Sequence, residues 1–412
     1  MRSKPLSTLP PRERLLFQHF WTLLSLASAG ASWAIWGWLL GERIPVQSVW
    51  GHAAVIVALT LIYRACAAVL EQKDDPPVVV KALGQTFLAI GFASGTTLAG
   101  FLVVASAWAV FNWLLSLGLG RPAVAGVSVI AAPFVEVPFR PIGVVTIVGS
   151  LLVQLYGFAI GFRRTMVREL PVTIAGLPEA FDGYRILHLS DVHLGPLCHR
   201  GALREILARA HSLLPDLVCV TGDLVDSPNT DLASWVPELR AVTARDGVLT
   251  ILGNHDRHAG SDRVAAALRQ MTDWRVLRNE ATSIARGTAQ LHIVGIEDAP
   301  HDDAVAAAQH LARALPSGAA AIALIHHPWV FDAVAPLGIP LTLAGHSHGG
   351  QLAVPLAPQI NMARVLGIRR SVDSFYDRGC RLIVSRGIGT SGQRVRIGAP
   401  RELTVLRLTA IR

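Results

Sequence analysis

The chain has 412 residues, 37 Lys and Arg against 29 Asp and Glu, a formal net charge of +8 and 51% hydrophobic residues. Its mean hydropathy is +0.43. That length allows two or three domains, and that hydropathy excludes a single soluble globule. The basic balance fits an anionic lipid surface better than nucleic acid, because basic residues crowd the apolar segments and no nucleic-acid motif occurs. The cysteines Cys66, Cys198, Cys219 and Cys380 show no CxxC spacing and make no disulfide framework.

Residues 1–14 are basic, with Arg2, Lys4, Arg12 and Arg14, and residues 15–40 then carry no charge. That run exceeds the ~20 residues that cross a bilayer and is too long for the apolar core of a signal peptide. It reads as a retained span, with Trp21, Trp33, Trp36 and Trp38 suited to the interface. A second span covers residues 52–70, where Arg64 snorkels or faces the bundle interior. After a polar loop with Pro76 and Pro77, residues 83–117 are uncharged and read as one tilted helix. Its Gly91, Gly95 and Gly100 form a face of small residues for helix packing. A loop follows, then a last span at 142–162, ending on Arg163, Arg164 and Arg168. Residues 1–165 are therefore expected to form an all-α transmembrane bundle of about four helices. On that count one side holds Arg2, Lys4, Arg12, Arg14, Lys73, Lys81, Arg163, Arg164 and Arg168, and the other Arg43, Arg121 and Arg140. Nine against three places the C-terminal domain in the cytoplasm, on the inner face of a bacterial membrane; two crossings by residues 83–117 would place it outside.

From residue 170 the composition becomes that of a soluble domain, ample for one core. Apolar runs at 184–189, 217–220, 248–252, 291–294 and 319–325 read as strands. Patterns at 201–214, 263–271 and 302–315 read as helices, and the stretch beyond 381 looks all-β. This alternation predicts α/β layers.

Five motifs follow apolar runs, where strands end and open α/β sheets gather their sites. They are Ser190-Asp191-Val192-His193, Gly222-Asp223-Leu224-Val225-Asp226, Gly253-Asn254-His255-Asp256, His326-His327-Pro328 and Gly345-His346-Ser347-His348-Gly349-Gly350-Gln351. In an extended run residues two apart point the same way, so His346 and His348 are expected to face one pocket. Together the motifs offer Asp191, His193, Asp223, Asn254, His346, His348 and one of the adjacent His326 and His327. Oxygen and nitrogen donors without a thiolate suit two hard or borderline divalent ions (Mn, Fe, Zn or Mg). Two ions that close need a shared anionic bridge, and Asp223 is the candidate. One decoy is Gly387-Ile388-Gly389-Thr390-Ser391-Gly392. It matches G-x-G-x-x-G, but a dinucleotide site needs a helix at the third glycine. Residues 394–397 continue instead as an alternating strand, so a tight loop near the active site is the expectation.

The order Asp-x-His, Gly-Asp-x-x-Asp, Gly-Asn-His-Asp, His and Gly-His-x-His resembles the calcineurin-like metallophosphoesterase superfamily. The opening Leu189 to Gly195, the close at Gly345 to Gln351 and the tail Ser385 to Gly392 resemble its bacterial membrane-associated branch, related to UDP-2,3-diacylglucosamine hydrolases. The resemblance covers residues 172–412. It implies two β-sheets flanked by helices in a four-layer sandwich, over residues 170–412. It implies one metal on Asp191, His193, Asp223 and His348, and a second on Asp223, Asn254, His326 and His346, with manganese favoured. A hydroxide between the ions would attack phosphorus, His255 would protonate the departing oxygen, and Asp256 would orient His255. The substrate expected is a phosphodiester or pyrophosphate, lipid-linked or a nucleotide-lipid, met at the bilayer. Two other readings compete: a non-catalytic module that binds a ligand or partner, and a transporter built on the N-terminal bundle. Loss of a ligand would favour the first, and none is lost. Paired intramembrane charges would favour the second, and Arg64 stands alone.

Overall fold

The structure, a computed structural model, describes residues 139–195 and 197–410, together with Ala29, 53–62 and Ala65. The chain divides into two compact units, Met1–Gln154 and Leu155–Arg412.

In the first unit, residues 53–62 are helical, with Val57, Leu61 and Ile62 exposed. The helix Phe139–Ala159 also begins there and exposes Val148, Leu151, Leu152 and Val153. The stretches 15–40 and 83–117, expected to be spans, lie outside the described residues, as does most of 52–70. Among the residues whose side chains are described, no helix is long and apolar enough to cross a membrane. The stretch expected at 142–162 is not one unbroken helix. The helix ends at Ala159, a 3-10 turn spans Gly161–Arg163, and Phe162 is buried.

Among the described residues, the second unit runs through fourteen strands. They are β1 (Thr165–Ile174), β2 (Arg185–Leu189), β3 (Leu217–Thr221), β4 (Val248–Ile251), β5 (Arg275–Val276), β6 (Glu280–Arg286), β7 (Ala289–Gly295), β8 (Ala321–Leu324), β9 (Leu341–Ala344), β10 (Ala353–Val354), β11 (Ala357–Asn361), β12 (Asp373–Asp377), β13 (Cys380–Val384) and β14 (Arg401–Ala410). One six-stranded sheet has the order β1-β14-β2-β3-β4-β5, the other β12-β13-β9-β8-β7-β6, and β10 and β11 form a hairpin. Both are mixed: β2 to β5 run parallel, as do β7, β8, β9 and β13, while β14, β6 and β12 make antiparallel pairs. The domain starts earlier than residue 170, because β1 pairs with β14 from Thr165↔Arg401 onward.

Strand alternation builds the layers. In β2, Ile186 points into the core between the sheets, where it meets Cys219, Ile251, Ile293, Ile322 and Leu343. Leu187 and Leu189 point the other way, under the helices Arg200–Ser212 and Ser261–Met271. Leu203, Ile206, Leu207 and Ala210 recur at helical spacing along the first of these and are buried on that core. A third core covers the outer face of the second sheet with Ala304, Ala308 and Leu311 of the helix His301–Arg313. Each such buried leucine or isoleucine contributes roughly 1.5–3 kcal/mol. Strands buried on both faces read as continuous apolar runs, which is why the central ones were visible in the sequence.

Candidate metal centre

The five motifs follow β2, β3, β4, β8 and β9, so both sheets deliver side chains to one place. The local backbone is unusual. Asp191, His193, Asp223, His346 and His348 have φ of 54°, 49°, 53°, 69° and 52°. Non-glycine residues there cost about 1–3 kcal/mol each and persist only where the surroundings over-determine them. The ties are visible. The Asp191 amide donates to the Gly222 carbonyl and the His193 amide to the Asp223 carbonyl, both at 3.0 Å. The His346 amide donates to the Asp191 carboxylate at 2.9 and 3.1 Å.

This corrects the extended run expected to carry His346 and His348. They do not lie on an extended run; each has a left-handed backbone, His346 ahead of the 3-10 turn His348–Gly350 and His348 at its start. The imidazoles consequently go to different partners. His348 Nε2 lies 3.0 Å from His193 Nε2 and 3.5 Å from Asp191 Oδ1. His346 Nδ1 lies 3.0 Å from Asn254 Oδ1, and the same oxygen lies 3.0 Å from His326 Nε2. Asp223 stands between the two groups, with Oδ2 3.2 Å from His326 Nε2 and 3.6 Å from His193 Nε2. Asp191, His193, Asp223 and His326 are almost completely buried. The sets Asp191–His193–His348, Asp191–Asp223–His326 and His326–His327–His346 each converge closely enough to hold a metal ion. Buried oxygen and nitrogen atoms aimed at one another fit divalent cations, because otherwise the lone pairs of neighbouring acceptors would face each other unscreened.

Electrostatics follow from that packing. Burial alone would raise the Asp223 carboxyl, but His326, His193 and His255 hold it well below the usual carboxylate range. Burial alone would lower His326, but Asp223 overrides it and lifts the imidazole to about 10. Burial, with His326 adding to it, lowers His346 to about 3. Burial and His193 likewise hold His348 down. Burial alone would lower His193 too, but Asp226 and Asp223 raise it, so protonation is favoured on His326 and His193 and disfavoured on His346 and His348.

The His255 ring stands edge-on to His193, with centroids 4.6 Å apart. Its Nδ1 is 2.7 Å from the Asp226 carbonyl oxygen, and its amide donates to Asp223 Oδ1 at 2.8 Å. The ring therefore donates from Nδ1 and turns Nε2 elsewhere. Asp256 does not orient it. Both carboxylate oxygens of Asp256 are taken by amides: Val225 on Oδ1 at 2.9 Å, Gly253 and Leu224 on Oδ2 at 2.9 and 3.1 Å. A buried carboxylate meets the nearest free N–H groups, and here the amides of two motif loops reach it first. Burial and the nearby Asp223 raise its carboxyl to about 6 despite the amides.

Asp298 and Arg396 escaped the sequence reading, while His327 and Asp226 stood in its motifs without an assigned metal. His327 lies against His346, with ring centroids 3.7 Å apart, and its Nε2 is 3.2 Å from Asp298 Oδ1. Asp298 follows β7 and also takes Arg257 Nε at 3.0 Å; the acid after a strand was the available signal. Asp226 Oδ1 lies 3.2 Å from His193 Nδ1, the nitrogen opposite the one facing the cluster. Arg396 is buried, not on a strand, and donates to the carbonyls of Gly389, Arg386 and Ala399 at 2.6, 2.9 and 3.0 Å. One Nη of it lies 3.4 Å from His348 Nδ1. The glycine loop has no helix at Gly392. It lies against Asp191 instead: the Gly389 amide donates to the Asp191 carbonyl at 2.7 Å, and a Cβ on Gly389 would collide with that oxygen and with the Val192 carbonyl. Behind the site, His188 Nε2 lies 2.8 Å from Thr221 Oγ1, which donates to Ser190 Oγ at 2.8 Å; His188 is a buried hydrogen-bonded side chain without contact to the donor cluster.

Residues 184–350 match the calcineurin-like phosphoesterase family, and that match contains the donor residues of all five motifs. The chain is similar to an uncharacterized metallophosphoesterase of Campylobacter jejuni, 30% identical over 56% of this chain and 61% of that protein. It is similar to an uncharacterized metallophosphoesterase of Bacillus subtilis, 29% identical over 61% of this chain and 89% of that one. A Danio rerio protein named as a transmembrane protein with metallophosphoesterase domain is 27% identical over 51% of this chain and 50% of its own length. The chain therefore spans less than two thirds of the Campylobacter and Danio relatives. Convergent buried donors, motifs in family order and these matches support the calcineurin-like metallophosphoesterase superfamily for the C-terminal unit, and with it a phosphoester hydrolase.

Proposed function

We propose that the protein is a membrane-anchored, two-metal phosphoesterase that hydrolyses a phosphodiester or pyrophosphate bond in a lipid-linked or nucleotide-linked substrate. The observation that carries this reading is Asp223, whose carboxylate lies within 3.6 Å of His193 on one side and 3.2 Å of His326 on the other. One ion would sit on Asp191, His193, Asp223 and His348, the other on Asp223, Asn254, His326 and His346. Such ions, manganese by preference, activate water and offset charge on phosphoryl oxygens. The chain's own residues do the rest. Asp223 stays ionised beside the histidines, Asp226 fixes the His193 ring, and the Asp226 carbonyl fixes His255 so that Nε2 can hand a proton to the departing oxygen.

The membrane part rests on the uncharged stretches of the first 162 residues, on the exposed leucines and valines of the helix Phe139–Ala159, and on relatives named as transmembrane proteins. Lysine and arginine placement supports a cytoplasmic domain on a bacterial inner membrane. A bilayer-held site favours a lipid phosphate, of which a UDP-2,3-diacylglucosamine-like compound is one candidate.

The test is hydrolysis of bis(p-nitrophenyl) phosphate by the full chain in detergent with Mn²⁺. Wild type should turn over and Asp223→Asn should lose turnover together with bound metal. Less than one ion per chain in the wild type, with no metal supporting turnover, would instead favour a ligand-binding module.

A further inference from the structure

A cavity lined by none of the donor residues lies within the C-terminal unit. It measures about 440 Å³ and is lined by Phe162, Arg163, Arg209, Arg394 and Arg401, with Glu205 the acid among its walls. Three of these guanidiniums gather on one ring: Arg394, Arg401 and Arg163 lie 4.6, 5.4 and 5.5 Å from the centroid of Phe162. None of the three makes an ion pair with a described residue. Arg401 is 7% exposed, and its Nε has no hydrogen-bond partner. Burial and the neighbouring arginines push Arg401 down to about 10, and burial with Arg163 lowers Arg394 as well. The first turn of the helix Arg200–Ser212 also borders the cavity through Gly201 and Ala202, adding the positive end of a helix dipole.

Like charges are held together at a cost unless something negative joins them. Arg200 and Arg204 nearby are paired with Glu238, whereas these three share the Phe162 ring and no carboxylate. The planar forks instead face an open cavity, and forks of this kind match the oxygens of a phosphate. Exposed Leu155 and Ile160 precede the arginines in the same unit, so an apolar chain attached to the anion would find a surface to lie on.

We propose that this cavity is an anion site for a phosphate ester, separate from the metal centre, and that the headgroup of an acidic phospholipid is its occupant. The site needs no metal, so the proposal does not rest on the hydrolase reading.

The experiment uses the full chain in detergent, stripped of metal with EDTA so that the donor cluster holds no phosphate. Calorimetric titration compares dihexanoyl phosphatidylglycerol, dihexanoyl phosphatidylcholine and inorganic phosphate. Wild type should bind the glycerol lipid at one saturable site per chain. Arg163→Gln and Arg394→Gln, which alter exposed and half-buried side chains and spare the β14 strand, should each weaken it about tenfold. His348→Ala should leave it unchanged. Equal affinity for inorganic phosphate keeps the site and makes free phosphate its source. No saturable binding by any probe, equal binding of the choline lipid, or indifference to both arginine substitutions would overturn the proposal.

Discussion

Asp256→Asn separates two roles that a Gly-Asn-His-Asp motif leaves open. In the wild type Oδ2 accepts the amides of Gly253 and Leu224, and Oδ1 accepts that of Val225. An asparagine can keep its oxygen at the Oδ2 position and satisfy two of them. Its NH₂ group then faces the Val225 N–H, donor against donor. One buried N–H left without an acceptor costs about 1–3 kcal/mol, and the two retained bonds lose their charge assistance, so a total of about 3 kcal/mol is expected. In a domain of this size, that lowers the melting temperature by roughly 6–12 °C. The loops joined by this carboxylate carry Asp223 and Asn254, so metal content should fall as well. Thermal unfolding of the metal-free protein and metal analysis read both effects. Turnover per bound metal should stay within about threefold of the wild type, well short of the 10²–10⁴ of general acid–base catalysis. An unchanged melting temperature with a large loss of turnover and a shifted pH profile would refute this reasoning and return Asp256 to the role of orienting His255.

Three further outcomes are expected. His326, lifted to about 10 beside Asp223, holds a proton in the metal-free protein. Its stabilisation is therefore complete below about pH 6.5 and lost as pH rises through about 10. A metal must displace that proton, so affinity should fall as pH falls, and uptake heats should depend on the ionisation enthalpy of the buffer; buffer-independent heats would contradict it. His255→Ala should slow hydrolysis of an alkyl phosphodiester by about 10²-fold or more, and of a p-nitrophenyl ester far less, because a good leaving group needs no acid. Arg396→Lys should destabilise the protein by about 2–4 kcal/mol and reduce bound metal, because an ammonium cannot reach the carbonyls of Gly389, Arg386 and Ala399 that the guanidinium serves together. Unfolding midpoints and metal per chain check this, and wild-type values for both would remove Arg396 as a support of the His348 loop.

The sequence by itself determined the central strands and the motif positions. β2, β3, β4, β8 and β9 are buried on both faces, so each appears as a short apolar run, and each motif begins where its run stops. That is local information, written in consecutive residues. The strands that the sequence hid are β1, β5, β6 and β12, all at sheet edges, together with the β10–β11 hairpin. β1 carries Pro171, and β6 is exposed along one face, so neither has the signature of a core strand. β1 is fixed by β14, from Thr165↔Arg401 to Ile174↔Ala410, a pairing no local pattern announces.

The donor set was legible as residue types in order, and the family resemblance divided it between two ions, but the contacts that hold each donor in place were not legible. His346 and His348 part company because each takes a left-handed turn, and that conformation is held by contacts from Asp191 and from neighbouring loops. Asp256 binds amides and not His255, Asp298 reaches His327, and Arg396 reaches the His348 loop, each across a long stretch of chain. The arginines around Phe162 likewise come from residues 163, 394 and 401. Burial patterns and motif order are properties of neighbouring residues, and the sequence determines them. Which polar group meets which depends on the closest unsatisfied partner once the sheets have packed, and only the tertiary structure decides that.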